Sequence, residues 1–337
     1  MSLSLTRDQI VAFRRHASAL DERLPMDAAA LQRAAWAGLQ DSMPRAALLS
    51  IHARVSDTPS TVLDDPALTQ VWGPRYSAYA IAAVDLPIFT LARLPDDDKG
   101  RRRAEEMADR LDDFLRGRRM KDREVHAALN TGNSVRYATT TGRVVIRWEG
   151  ALAPMIWMVP RPQMSVTDAR REMAGRYLHL FGPTTAEAFA EWAGISLRAG
   201  VTTFDSLATE LIPTRTALGD AWLLATDEAL MRGAARPAAA ARLLPSGDTF
   251  FLLWGRDREL LVPDDKRRAE LWTSRVWPGA VLIGGQITGV WRRAHEKLTI
   301  DTWRRLSKTE QEAVATEARS LPLPGLTRPV SVSFSAA

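Results

Sequence analysis

Between Thr167 and Leu224 the sequence writes three short helices and a β-hairpin in a fixed order, and few folds accommodate that order. Thr167 can cap a helix that carries Ala169, Met173, Tyr177 and Phe181 on one face, and Gly182–Pro183 stops it. Thr184 and Glu187 match a capping box opening the helix of Phe189 and Trp192, which Gly194 terminates. A third helix, Leu197 to Ala208, turns Arg198 and Thr202 outward and Phe204 and Leu207 inward. Leu211 to Thr216 and Ala221 to Leu224, joined through Gly219–Asp220, complete a hairpin. Helices across tight turns followed by a two-stranded wing describe a winged helix.

Two earlier stretches repeat the layout. Ile10, Phe13, Ala17 and Leu20 recur at helical spacing, and after Pro25 an amphipathic stretch with Ala29, Leu31, Ala34, Ala35 and Leu39 is expected to end near Gln40. Pro44 suits the first turn of the next helix, which buries Ala47, Leu48, Ile51 and Val55. Trp72 to Val84, broken at Gly73–Pro74, reads as paired strands. Asp96 to Arg119 is a charged helix that buries Met107, Leu111, Phe114 and Leu115. In the second unit Asp122 caps a short helix, Gly132–Asn133 turns the chain, and Asn133 caps a helix carrying Val135, Arg136 and Tyr137. Val144 to Trp148 then returns through Gly150 and Pro154 to Met155–Val159 as a wing.

Arg232 to Arg242 is a low-complexity linker. Beyond it Thr249 to Trp254 is rich in strand formers, and Val281–Leu282–Ile283 meets Gln286–Ile287–Thr288 across Gly284–Gly285. Val290 to Arg293 and Lys297 to Ile300 add strands, and Ser307 with Glu310 opens a terminal helix. The fold class is therefore α+β, with three tandem winged-helix domains at 1–115, 116–163 and 164–231. A linker at 232–242 leads to a C-terminal β-barrel-like region at 243–337.

The chain has 337 residues and no cysteine, so a sizeable core is available while disulfides, thiolate nucleophiles and Cys-ligated metals are excluded. The five histidines, His16, His52, His126, His179 and His295, have neither HxxxH nor HxH spacing, and no metal is expected. Asp96–Asp97–Asp98 reads as acids at a helix N-terminus. There is no GxxxxGK[ST], GxGxxG or GxSxG, so no nucleotide cofactor and no nucleophile elbow is expected. Apolar runs fall short of the roughly 20 residues that span a bilayer, and Arg7 and Asp8 interrupt any signal-peptide core. A soluble, cytoplasmic, nucleoid-associated protein without membrane contact is the expectation.

The formal net charge is +5, and the excess is concentrated. Arg116, Arg118, Arg119, Lys121, Arg123, Arg136, Arg143 and Arg147 face only Asp122 and Glu124 within 116–147. An anionic partner is implied, nucleic acid being the commonest. An Ala/Arg-rich composition also allows a plain helical scaffold whose arginines are merely solvated. Of the eleven tryptophans, Trp148 beside Arg147 is the candidate for stacking on bases, and the others read as core.

The residues carry a family likeness. AAWAGLQDSMPRAALLSIHARV (Ala34 to Val55), followed by VWGPRYSAYAIAA, resembles the first domain of the tandem winged-helix DNA glycosylases typified by AlkZ and YcaQ. RYLHLFGPTTAEAFAEWAGIS resembles their third winged helix, and LLPSGDTFFLLWGRDRELL with the later GVWRR resembles their C-terminal region. The resemblance covers nearly the full length. It implies double-stranded DNA as partner, a monomer without cofactor, and monofunctional hydrolysis of the N-glycosidic bond of N7-alkylated or bulky-adduct purines. The family's signature of a Gln, an apolar residue and then Gln or Asp falls on Gln40, Asp41 and Ser42, so only the first place is kept. Its Arg is kept as Arg75, while its Thr and His places hold Ser77 and Tyr79.

A cationic N7-alkylated purine is a good leaving group, and its departure builds oxocarbenium character on the sugar. A carboxylate stabilises that charge and orients water, whereas an amide holds water without ionising. Gln40, Asp41 and Ser42 are therefore the candidate catalytic residues. Asp41 has a second reading as the cap of the helix that Pro44 opens. Phosphate and base contacts are expected from Arg75, Tyr79, Arg118, Arg119, Arg136, Arg143, Arg147, Trp148 and Arg198. The alternative function is a non-catalytic winged-helix DNA-binding or regulatory protein, which the altered triplet and Tyr79 favour.

Overall fold

A computed structural model describes residues 3–43, 45–131, 134–148, 152–233, 238–253, 255–326 and 328–335. Pro44, the Gly132–Asn133 turn, Gly150, part of the 232–242 linker and Trp254 lie outside them. The architecture is mixed α+β, with three sheets connected by helices.

The N-terminal helix Arg7–Ala17 is set by a capping box in which Thr6 and Gln9 satisfy each other's backbone N–H groups. It buries Ile10, Phe13 and Ala17. The next helix, Ala28–Ala34, stops six residues before Gln40, and Leu39–Gln40 is a short strand instead of a helix end. Gly38 is the reason: it holds φ +73°, and a Cβ there would lie 2.9 Å from both Tyr79 and Phe89. Leu39–Gln40 pairs antiparallel with Tyr79–Ala80 at one edge of a six-stranded sheet. That sheet continues through the hairpin Leu68–Trp72 and Ala78–Ala82 into the hairpin Val144–Arg147 and Met155–Met158, joined at Gln70 opposite Ile146. The first two helix-and-hairpin units thus share one sheet.

The helices Val166–Phe181, Ala186–Ala193 and Leu197–Ser206 precede the hairpin Leu211–Thr216 and Gly219–Leu224. Ser165 and Thr185 cap the first two in place of the expected Thr167 and Thr184, Ser196 caps the third, and each accepts the N–H three positions on. Leu3–Ser4 adds a parallel third strand to this hairpin, tying the N-terminus to the middle of the chain. Buried Arg14 reinforces the tie by donating to the carbonyls of Gly182 (3.2 Å) and Pro183 (3.1 Å).

The C-terminal strands Ala241–Leu244, Gly279–Ile283, Gln286–Ala294, Lys297–Thr302 and Ser331–Phe334 form one sheet in sequence order. Among the described residues its outer strands, Ala241–Leu244 and Ser331–Phe334, do not pair, so the sheet is open where a barrel-like closure was expected. The helix Lys308–Ser320 supplies Val314 and Ala318 to its core. Thr249 to Leu253 is no strand either, because Asp248 winds this segment into turns. Its carboxylate accepts the Phe250 N–H at 2.9 Å and its carbonyl accepts from Phe251 and Leu252. The strand-forming Phe250, Phe251, Leu252 and Leu253 are buried all the same, in the core shared with Phe13, Tyr177 and Phe189.

The same Asp248 is fully buried and chelated by Arg54, with Nη1–Oδ2 at 2.7 Å and Nη2–Oδ1 at 2.8 Å, while Ser50 Oγ donates to Oδ2 at 2.6 Å. Ser50 belongs to the helix Ala46–His52 and Arg54 to the turn after it, so a residue pair 194 positions apart ties the turn at Asp248 to that helix. No described helix is long and apolar enough to cross a membrane.

Breaking a buried pair from one side strands the other charge. Asp248→Ala is expected to cost about 3–5 kcal/mol, and Arg54→Met/Asp248→Leu is expected to cost less than that single change. Urea midpoints measured at constant slope decide it, and a cost below about 1 kcal/mol for Asp248→Ala would contradict the pairing.

Candidate functional site

Strand alternation sends Leu39 and Asp41 to one side and Gln40 to the other. Leu39 enters the core of Ala30, Leu48 and Ile51. Gln40 and Ser42 reach a cavity of about 250 Å³, where Gln40 Nε2 donates to Ser42 Oγ at 3.1 Å. Arg75, Ser77 and Tyr79 line it, together with Ser246, Gly247, Leu252, Arg275, Val276 and Trp277 from the C-terminal part of the chain. Gly247 has φ +74°, and a Cβ there would lie 3.1 Å from Gln40 Oε1, so the turn locked by Arg54 and Asp248 presses its backbone against the glutamine.

Asp41 does not reach this cavity. It is 6% exposed, its N–H donates to the Ala78 carbonyl at 2.7 Å, and Oδ1 accepts the Ala47 N–H at 3.0 Å in the first turn of the helix Ala46–His52. Oδ2 accepts from Gln70 Nε2 at 2.8 Å, and Gln70 Oε1 accepts the Trp148 N–H at 2.6 Å. The carboxylate is therefore a helix cap and the end of a relay that joins the site strand to the hairpin 144–158. It points away from the cavity because neighbouring side chains on a strand oppose each other. Burial, outweighing the Ala47 hydrogen bond and the charges of Arg147 and Arg45, raises its pKa from 3.8 to about 7.

Tyr79 is buried against Gly38, and burial pushes its phenol well above the usual range. The turn before it holds Arg75 and Tyr76 at φ +55° and +57°, left-handed values uncommon outside glycine. Arg93 supports the turn from below, with its guanidinium 4.7 Å from the Tyr76 ring centre and Nη1 donating to the Trp72 carbonyl at 2.7 Å. Burial lowers the Arg93 pKa to about 10, which leaves it charged at neutral pH. Arg75 reaches Glu191 at 4.0 Å, a carboxylate that is not among the cavity's described lining.

The other expected DNA contacts lie elsewhere. Arg143 is paired with Asp109 and Asp112, and Arg147 with Asp64 at 2.6 Å. The concentration of charge in 116–147 is thus offset by acids that a count along the sequence leaves out. Arg118 donates to the carbonyls of Leu115 and Phe114, Arg119 lies 4.4 Å from the Trp157 ring centre, and Arg136 lies 5.7 Å from that of Trp72. Trp148 packs against the core of Trp72, Met107 and Val144 instead of standing free at a wing tip. Arg198 is exposed and lines a separate groove of about 400 Å³ with Arg170, Thr167 and Thr202. Trp192 and Trp277, which the sequence marks as core, line the cavity with Ser246, Gly247, Arg275 and Val276, which it does not mark as site residues. The Pro245-Ser246-Gly247 turn signal was the only local clue to them.

The sign of the Asp41 shift makes a prediction. A folded-state value raised to about 7 from 3.8 means the folded protein holds the extra proton between those values. The contribution is full below the lower value and is lost as pH rises through the upper one. Asp41→Asn should therefore gain stability relative to the parent between about pH 5 and about pH 8, by a few kcal/mol at most. Urea unfolding at both pH values tests it, and a difference independent of pH would contradict the buried, protonatable carboxyl.

No curated protein matches the sequence. Among solved structures the chain is similar to the DNA glycosylase AlkZ of Streptomyces sahachiroi, with a TM-score of 0.78 and 17% identity, covering 99% of this chain and 100% of that one. A family model described as DNA glycosylase AlkZ-like matches residues 31–322, a span that contains the site strand, the 74–79 turn and the 245–253 turn. The chain belongs to the AlkZ-like DNA glycosylase family.

Proposed function

We propose that the protein binds double-stranded DNA and hydrolyses the N-glycosidic bond of purines that already carry positive charge, as N7-alkylation confers. The observation that carries the reading is the convergence of Gln40 and Ser42, 3.1 Å apart, on a cavity whose described lining includes neither a carboxylate nor a lysine. Without an acid to protonate the departing base, the base itself must be a good leaving group. Without a lysine amine, no imine to the sugar forms, which supports monofunctional hydrolysis. Gln40 and Ser42 would hold the attacking water by hydrogen bonds, and Arg75, which also lines the cavity, would meet a phosphate.

The reading includes three tandem winged helices over 1–115, 116–163 and 164–231, a linker at 232–242 and a C-terminal domain from 243. Two features support it: three helices precede the hairpin 211–224, and short helices precede the two hairpins that share a sheet. It also holds the protein to be a cytoplasmic monomer that needs neither metal nor nucleotide cofactor. The same lack of a carboxylate in the described lining favours one other reading, a non-catalytic DNA-binding relative that recognises the lesion without cleaving it.

Purified protein incubated with duplexes containing N7-methylguanine, hypoxanthine or uracil separates the two. Abasic sites from N7-methylguanine alone are expected. Duplex binding with no abasic sites in any of the three would establish the non-catalytic reading, and release of uracil would contradict the requirement for a cationic base.

A further inference from the structure

A second groove, of about 380 Å³, adjoins the cavity, and Met43, Ser246, Val276 and Trp277 line both. Arg45, Arg292 and Arg293 line it, and no acid is among its described lining residues. Most arginines discussed above are matched by a carboxylate, a carbonyl or a ring. Arg292 and Arg293 donate to the carbonyls of Val276 at 3.5 Å and His295 at 2.9 Å, but among the described residues no carboxylate pairs with Arg45, Arg292 or Arg293. Burial and, after it, the charge of Arg45 disfavour the charged form of Arg293, and Asp41, a carboxyl that senses Arg45, is turned inward to Ala47 and Gln70. Holding two like charges together beside a low-dielectric wall is unfavourable until an anion joins them.

The divider between cavity and groove is built to stay in place. Thr273 Oγ1 donates to the Val276 carbonyl at 2.9 Å and Trp277 Nε1 donates to the Thr273 carbonyl at 2.8 Å. Its tip, Val276, is 52% exposed and apolar. One side of this turn meets the Gln40–Ser42 cavity and the other meets the arginines.

We infer that the groove is a binding site for a single DNA phosphodiester, gripped by Arg45 and Arg293 while Val276 touches the sugar or base edge between it and the cavity. The inference rests on the proposed DNA reading and deepens it by assigning one backbone contact to the C-terminal sheet. The grip fixes the register of the strand, so that the nucleotide next to the held phosphate faces Gln40. Guanidinium forks match phosphate geometry, and each phosphate neutralised contributes about 0.9 to the dependence of log K on log salt.

The test uses the full chain and a labelled duplex bearing a tetrahydrofuran abasic-site analogue, titrated by anisotropy over a series of KCl concentrations. Arg45→Asn is chosen because asparagine tolerates the φ of +67° at this position, and it is combined with Arg293→Gln on the exposed end of its strand. The double variant is expected to lower the salt slope by about 1. A neutral methylphosphonate at one linkage flanking the analogue should weaken the parent severalfold and leave the double variant unaffected. An unchanged salt slope, or an equal methylphosphonate loss in parent and variant, overturns the phosphate site while leaving the DNA reading intact. Failure of the parent to bind any duplex overturns both. If the double variant does not fold, Arg293→Gln alone gives the same readout.

Discussion

The cleft depends on a buried ion pair between residues far apart in sequence. Arg54 and Asp248 satisfy each other through two hydrogen bonds, and Ser50 occupies a further lone pair of the carboxylate. Such a pair offers little net stability over an apolar substitute, but it is specific about geometry. It fixes the 245–253 turn against the helix that follows the site strand, and this turn delivers Ser246 and Gly247 to the cavity wall. Without it the Gln40 side would be half a site.

The site strand obeys a similar economy. Gly38 turns the chain out of a helix, Leu39 anchors it in the core, and alternation then leaves Gln40 and Ser42 facing the cavity. Asp41 occupies the place where the family pattern has an apolar residue, and the fold treats it as an interior group with two hydrogen-bond donors to satisfy it. Gln70 completes the arrangement by linking Asp41 to the backbone of Trp148, which couples the strand to the second hairpin.

Much of the architecture was legible in the residues because it is written in local signals. Apolar periodicity placed Ile10, Phe13 and Ala17, and the Gly284–Gly285 turn placed the hairpin of Gly279–Ile283 and Gln286–Ala294. What failed did so for long-range reasons. Helical periodicity through Leu39 was overridden by Gly38 and by pairing to Tyr79, and the strand formers of 249–253 were taken by the turn that Asp248 organises. Counting charge along 116–147 missed Asp64, Asp109 and Asp112, which fold back onto Arg147 and Arg143. Gln40 and Ser42 could be nominated from sequence, but the side to which each neighbour points required the strand. The rest of the lining that joins them, Ser246 and Gly247 among it, comes from some 200 residues later and has no local signature beyond a turn.

The central claim is that Gln40 acts on substrate and Asp41 acts on the fold. Single-turnover release of N7-methylguanine from duplex DNA, compared among the parent, Gln40→Ala and Asp41→Asn, tests it most directly. The account predicts a loss of about 100-fold or more for Gln40→Ala with duplex binding retained, and a rate within about tenfold of the parent for Asp41→Asn. Loss of release in Asp41→Asn at unchanged stability and DNA affinity, with Gln40→Ala still active, would contradict it.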